Sequence, residues 1–281
     1  MLKKVLVTGS KGQLGSTIRE LSVNHEMNFV FASSSELDIT NKKQLESLFN
    51  DISFDYCINC AAYTKVDKAE EEIEKAYSIN SEAVKNLALN CSKHKVILIH
   101  ISTDFVFSGE KETPYLEADP TNPINIYGES KLQGEKYIQE ILENYFIFRT
   151  SWLYSKYGNN FVKTVLRLSK EKDEINIVND QIGSPTNALD LARFILRIIK
   201  QESSYYGLYH FSNNDDTSWY GFAREILNFY KTDIILNPIP SHLYPTLAKR
   251  PKYSVLNNKK LETTFGVNIL NWKESLIKSL N

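Results

Sequence analysis

Lys3-Lys-Val-Leu-Val-Thr-Gly9-Ser-Lys-Gly12-Gln-Leu-Gly15 opens the chain with a short apolar run that stops at glycine and enters a helical pattern through Ile18 and Leu21. A brief apolar run bounded by glycine is the mark of a buried parallel strand. Gly9, Gly12 and Gly15 suit a tight turn, close backbone approach to a pyrophosphate, and helix-on-strand packing, while the helix N-terminus offers N–H groups and positive dipole. The spacing is G-x-x-G-x-x-G, not G-x-G-x-x-G, and its place between strand and helix makes it a dinucleotide-binding signal. The expected fold is α/β: a doubly wound, Rossmann-like parallel sheet, followed by a smaller C-terminal α/β substrate domain.

Downstream segments extend this plan. Asn28 to Ala32 reads as the second strand, and where a carboxylate for ribose hydroxyls is usual, the chain has Ser33-Ser34-Ser35. Lys11 in the glycine loop could neutralise a 2′-phosphate, so the pattern leans toward NADPH over NADH, although Lys11 is equally consistent with a solvated side chain. Asp38 precedes a polar helix over 41–50 and fits a cap or turn as well as a ligand contact. Phe54 to Ala62 is the next buried strand, and a long helix through Leu89 follows, its glutamates at 70, 71, 72 and 74 forming a solvated face. Asn80 falls at an inward-looking position of that helix, where an asparagine usually holds neighbouring backbone. Val96 to Ile101 is a buried strand ending in Ser102-Thr103-Asp104, and residues at such carboxyl ends face the ligand crevice. Thr103 is placed there to hydrogen-bond a reacting oxygen, as is Ser102 if the strand end turns. The Pro-, Asn- and acid-rich stretch 109–123 reads as a mobile cover.

That cover delivers the chain to Tyr127-Gly-Glu-Ser-Lys131, inside a helical run from Ile124 to Leu142. Tyr127 and Lys131 lie one turn apart on one face. Alone, such a pair is an ordinary surface feature. Beside a hydroxyl at a strand end, it reads as a phenol whose pKa the ammonium lowers, able to pass a proton to or from an alcohol.

After Arg149 the character changes. Expected elements are a helix to Leu168, a short strand at 175–178, an amphipathic helix over 189–199, and a strand at 206–211 that returns to the sheet. We expect a dinucleotide domain of residues 1–150 plus about 176–211. About 151–175 plus 212–281, rich in Trp and Tyr, would form a domain suited to a sugar-like ligand. The formal charge of −1 over 281 residues gives no reason to expect nucleic acid or an anionic membrane, and no apolar run reaches spanning length. A cytoplasmic location is expected. Cys57 and Cys60 read as buried strand residues, not a redox pair, and the five histidines lack metal-ligand spacing, so no metal is expected.

Taken together, these stretches resemble the extended short-chain dehydrogenase/reductases and, within them, the dTDP-4-dehydrorhamnose reductase family. The resemblance runs nearly end to end: Gly12-Gln-Leu-Gly15, Ala61 to Glu70, Ser102-Thr-Asp-Phe-Val-Phe107, Tyr127 to Lys131, Arg149-Thr-Ser-Trp152, Asp180-Gln-Ile-Gly-Ser-Pro-Thr186, and Arg250-Pro251 with Ser254 and Leu256. It implies NAD(P)H-dependent reduction of the C4 ketone of dTDP-4-dehydro-L-rhamnose to dTDP-L-rhamnose, for cell-surface polysaccharide. Tyr127 would protonate the C4 oxygen, Lys131 would lower its pKa and hold the nicotinamide ribose, and Thr103 would polarise the ketone. Gly12, Gln13 and Leu14 would meet the pyrophosphate, and Asp38 with Ile39 the adenine end. Ala61, Ala62, Tyr63 and Thr64 would line the cofactor, with Ser102 beside it. Asp104 and Trp152 would contact the sugar, with Val66 nearby. Some family members form a magnesium-bridged dimer through a glutamate just after the glycine loop. Here Gly15-Ser-Thr17 has no acid until Glu20, so a homodimer of another kind is the form left open. A reductase or epimerase of another nucleotide-linked keto sugar, and a non-catalytic nucleotide-binding regulatory subunit, are the competing readings.

Overall fold

The computed structural model describes residues 2–280. The opening stretch forms β1 (Lys4–Thr8) and α1 (Gln13–Ser22), then β2 (Asn28–Ala32) and α2 (Lys42–Asp51). β3 (Tyr56–Asn59) leads through α3 (Val66–Ala69), α4 (Ile73–Tyr77) and a π-helical turn at Ser78–Glu82 into α5 (Ala83–His94). Helix thus runs continuously from Ile73 to His94, through the expected end at Leu89, with one π-helical turn inside it and the short α3 set apart at its start. In that turn Asn80 bonds the Tyr63 backbone with its amide at both N–H (2.8 Å) and C=O (3.0 Å). β4 (Ile97–Thr103), α6 (Ile126–Ile141) and β5 (Tyr145–Thr150) follow. Next come β6 (Leu153–Tyr154), α7 (Phe161–Glu171), β7 (Glu174–Val178), β8 (Ile182–Gly183), β9 (Thr186–Asn187), α8 (Ala188–Lys200) and β10 (Gly207–His210). The chain ends with β11 (Thr217–Ser218), α9 (Trp219–Phe229), β12 (Ile235–Ile239), α10 (Lys259–Phe265) and α11 (Trp272–Leu280).

Six strands form one sheet in the order β10-β5-β4-β3-β1-β2, every neighbouring pair parallel. Both faces are covered. Val5, Val7, Ile58 and Phe148 pack beneath α1 and α8, while Leu6, Cys57, Leu98 and Ile147 pack against α2, α5 and α6. Strand order reverses between β1 and β3, and in such sheets the ligand crevice lies outside the strands' carboxyl ends at that reversal.

The smaller sheets lie beyond β5. β7 pairs in parallel with β12, β8 is antiparallel to β11, and β6 pairs with β9. Our boundary at about 176 needs correcting here, because β7 to β9 pair outside the six-stranded sheet and the chain rejoins it only with α8 and β10. The strand's own pattern explains this: Glu-Ile-Asn-Ile alternates exposed and buried, which suits a one-sided sheet and not one covered on both faces. An aromatic cluster including Tyr154, Phe222 and Trp272 forms the second core. The stretch 109–123 is not a free cover. Tyr115 is buried, stacks on Phe107 at 4.1 Å, and exchanges backbone hydrogen bonds with Val255 and Asn257. Cys57 lies buried in β3 and Cys60 just past its end, both free thiols.

Candidate active site

Backbone geometry shows why three glycines stand between β1 and α1. Gly9 is left-handed (φ +61°), and a Cβ there would lie 2.6 Å from the Ala61 nitrogen at the end of β3. A Cβ on Gly15 would meet the Gly9 carbonyl oxygen at 2.6 Å, and the Gly12 N–H closes the turn on that same oxygen at 2.9 Å. The position ahead of α1 is Gly12, which has no side chain to cap the helix, so the first N–H groups of α1 remain to serve an anion. Leu14 is buried beneath, and Gln13 sends its amide to the Leu153 carbonyl (3.1 Å), linking the loop to β6. Lys11 is exposed at the loop's rim.

At the end of β2, Ser33 donates from backbone and hydroxyl to Glu36 (2.8 and 2.6 Å), which holds that carboxyl below its usual range. Arg19 of α1 lies 4.2 Å over the Phe31 ring nearby. Sequence reading missed Arg19, whose signal was a cation on α1 opposite an aromatic on β2. Asp38 is exposed and accepts from the Thr40 N–H and hydroxyl (2.9 and 2.7 Å), so its carboxylate is a turn former. Ile39 is buried beside it.

Beyond β3, Ala61 and Ala62 are half-buried, Tyr63 is buried and fixed by Asn80, Thr64 is exposed, and Val66 begins α3 half-buried. Across the crevice, β4 ends in Ser102 and Thr103, and the chain makes a tight turn at Asp104–Val106. Thr103 Oγ1 donates to Asp104 Oδ1 (3.0 Å) and accepts from the Phe105 N–H (3.2 Å). Asp104 Oδ2 is buried and has no hydrogen-bond partner among the described residues. Burial pushes the Asp104 carboxyl up to about 6, although the Ser254 and Thr103 hydroxyls offset part of the cost.

α6 is set directly on that turn. A Cβ on Gly128 would lie 2.2 Å from the Phe105 carbonyl oxygen, so only glycine allows this approach. Asn125 caps the helix through the Gly128 N–H (2.8 Å), and Glu70 accepts from Ile126 N–H (2.9 Å). The result brings Tyr127, with its ring edge-on to Phe105 at 5.7 Å, beside Thr103. Burial pushes the Tyr127 phenol up to about 12, the Thr103 hydroxyl opposes this, and the Asp104 charge reinforces it. Burial is the largest influence on this phenol. Lys131 Nζ donates to the Ile101 carbonyl (2.6 Å) and lies 3.2 Å from His100 Nε2, on the sheet side of the helix. Burial brings Lys131 down to about 8, with Glu135 pulling upward.

Beneath the pair lies an ionic network that spacing alone did not reveal. Glu135, one turn beyond Lys131, accepts from Ser102 and is gripped by Arg149 through Nε (3.0 Å) and Nη2 (2.7 Å). Both side chains are almost wholly buried. Ser102 thus turns its hydroxyl inward, away from the crevice. Trp152 sits on the far side in a left-handed conformation (φ +46°), stacked on Trp219 at 3.5 Å, with Gly183 against its indole. A cavity of about 1100 Å³ adjoins this stack, lined by Phe161, Trp219, Tyr244 and Arg250. A second, of about 1070 Å³, shares Tyr244 and Arg250 and continues along Lys249 and Lys252. No group of three or more His, Cys, Asp or Glu side chains among the described residues could hold a metal ion. No helix among them is long and apolar enough to cross a membrane.

A parallel sheet with a glycine cradle at its reversal, and Thr103 beside Tyr127 at the carboxyl end of β4, is the arrangement of an NAD(P)-dependent oxidoreductase of the extended short-chain dehydrogenase/reductase class. Comparison with known proteins narrows this. The RmlD substrate binding domain family matches residues 3–281. A dTDP-4-dehydrorhamnose reductase of Aggregatibacter actinomycetemcomitans is 40% identical, covering 98% of this chain and 97% of that protein. A spore coat polysaccharide biosynthesis protein of Bacillus subtilis is 36% identical over 98% of this chain and 96% of its own. The solved dTDP-4-dehydrorhamnose reductase of Bacillus anthracis, in complex with NADP, superposes with a TM-score of 0.97 at 41% identity, covering 100% of this chain and 99% of that one. The chain belongs to the dTDP-4-dehydrorhamnose reductase family.

Proposed function

We propose that the protein reduces the C4 ketone of dTDP-4-dehydro-L-rhamnose to give dTDP-L-rhamnose. The observation that supports this most directly is the placing of Tyr127 against Thr103 at a strand end facing the glycine cradle. Gly9, Gly12 and Gly15, with the N–H groups of Gln13 and Leu14, would hold the pyrophosphate. Ala61 to Thr64 would line the cofactor's inner side and Ile39 the adenine end. Bound there, NAD(P)H supplies the hydride. Thr103 would donate a hydrogen bond to the ketone oxygen, polarising it as negative charge develops. Tyr127 would give its proton to that oxygen, and a phenol kept protonated by burial is in the correct state to act as acid. Lys131 would hold the ribose and, as a cation, stabilise the phenolate left behind. Asp104 and Trp152 would contact the sugar, with Val66 beside it, and the cavity at Trp219 and Tyr244 leaves room for the nucleotide end.

NADPH is the preferred donor in this reading, since Lys11 and Arg19 both act on Glu36 just past the end of β2 and would offer positive charge to a 2′-phosphate. The product would feed cell-surface polysaccharide, and the reaction would run in the cytoplasm. Self-association would proceed without a magnesium bridge, because Gly15-Ser-Thr17 carries no acid just after the glycine loop and the first one is Glu20. The complete Thr103, Tyr127 and Lys131 set favours catalysis over a regulatory role.

The test is NADPH oxidation, followed by absorbance, with dTDP-6-deoxy-L-lyxo-4-hexulose and with NADH in parallel. Turnover should fall by about 10²–10⁴-fold in Tyr127→Phe, the scale of general acid catalysis. A fully active Phe variant would remove the proton donor from this scheme, and a faster NADH reaction would reverse the cofactor preference.

A further inference from the structure

His100 lies at the centre of β4, fully buried, and the reductase mechanism leaves it without a task. Its tautomer can be worked out from its neighbours. Asn59 Oδ1 accepts from the Thr8 hydroxyl (2.6 Å) and the Ala61 N–H (3.2 Å). A backbone N–H can only donate, so this amide cannot be flipped, and its Nδ2 must be the donor that lies 3.0 Å from His100 Nδ1. Nδ1 is then the acceptor, and the proton of the neutral ring belongs on Nε2, which faces Lys131 Nζ at 3.2 Å. Burial and the adjacent lysine hold His100 well below its usual range, so the ring is neutral at pH 7.

We propose that His100 is a positioning residue for Lys131, locked by Asn59 as the Nε2–H tautomer so that it meets Nζ with a donor and leaves the Ile101 carbonyl as the acceptor that orients the ammonium. The inference rests on the reductase reading for its kinetic consequence, but not for the tautomer itself. An N–H aimed at Nζ suits the neutral amine better than the ammonium. The other charged or titratable groups facing Lys131 are Glu135 from its own helix and Cys60 from the end of β3. Glu135 favours the cation but is already gripped by Arg149. His100 and burial therefore act together against the cation. Since Lys131 must be cationic to stabilise the phenolate, kcat falls as pH rises through the lysine's pKa.

Two measurements test this. In His100→Gln the side-chain amide can turn an oxygen to Nζ, so the alkaline limb of kcat should move up by about one pH unit, the size of one hydrogen bond's effect. A limb that stays in place in a folded variant overturns the positioning role, and a merely structural histidine would change melting temperature alone. Independently, ¹⁵N-histidine spectra of the free protein, with the His100 signals assigned by their loss in His100→Gln, should show a neutral ring protonated at Nε2 at pH 7. An Nδ1–H ring or an imidazolium overturns the tautomer assignment. Absence of turnover in the wild-type enzyme would count against the reductase reading and leave the tautomer result standing.

Discussion

Asp104 shows how a single residue is placed at a cost. Its carboxyl, buried with one oxygen unpartnered, titrates near 6, above the value near 3.9 of an unfolded chain. Raised in the folded state, it contributes stability that is fully present below about pH 4 and lost as pH rises through about 6. The difference is worth on the order of 3 kcal/mol. Asp104→Asn should therefore raise the melting temperature at pH 7.5, and the gain should vanish by pH 4. A gain that persists at pH 4 would contradict the electrostatic account. The residue's retention against that cost is what a sugar-facing role would explain, since a ligand hydroxyl could supply the missing partner.

Elements meet here through backbone, and that is where the site's precision arises. The π-helical turn at Ser78–Glu82 lays the Asn80 carbonyl against Gly134 of α6, where a Cβ would come within 2.3 Å of the oxygen. The Asn80 side chain bonds both backbone groups of Tyr63 and reaches Ser130 Oγ at 3.0 Å. It thereby connects the cofactor-side segment after β3 to the helix carrying Tyr127. Asn80→Ala would strand two buried backbone groups at about 1–3 kcal/mol each. A loss of about 2–5 kcal/mol in urea unfolding is the expected result, and a loss below 1 kcal/mol would mean that water replaces the amide.

At the scale of the molecule, Asp67 of α3 meets the C-terminal segment that separates the two cavities. Arg250 donates to it at 2.7 and 3.1 Å and the Ala248 N–H at 3.2 Å, while Asn125 holds the Lys249 carbonyl at 2.8 Å. With side chains 41% and 23% exposed, the Asp67–Arg250 pair contributes no more than about 1 kcal/mol. It places Arg250 beside α3 more than it holds the fold. Asp67→Asn should raise the substrate KM several-fold, keep kcat, and shift the melting temperature by less than about 4 °C. A fall in kcat with unchanged KM would place the effect in the chemistry instead.

Periodicity and glycine spacing by themselves determined much of this protein. The parallel sheet, the cradle at Gly9 to Gly15, the strand ending at Thr103 and the helical face of Tyr127 and Lys131 all follow from local rules of backbone and side-chain direction. The asparagine at 80 was legible as a backbone clamp, because a polar residue on an inward face must find buried partners. What Lys131 touches was not legible. Spacing places it on the face of Tyr127 but cannot say that β4 presents the Ile101 carbonyl and His100 to it, nor that burial pushes the phenol up. The same holds for the Glu135–Arg149 pair, the Trp152–Trp219 stack and the departure of β7 from the main sheet. Each joins residues from different elements, and contacts of that kind are decided by how strands and helices pack, for which sequence separation carries no distance.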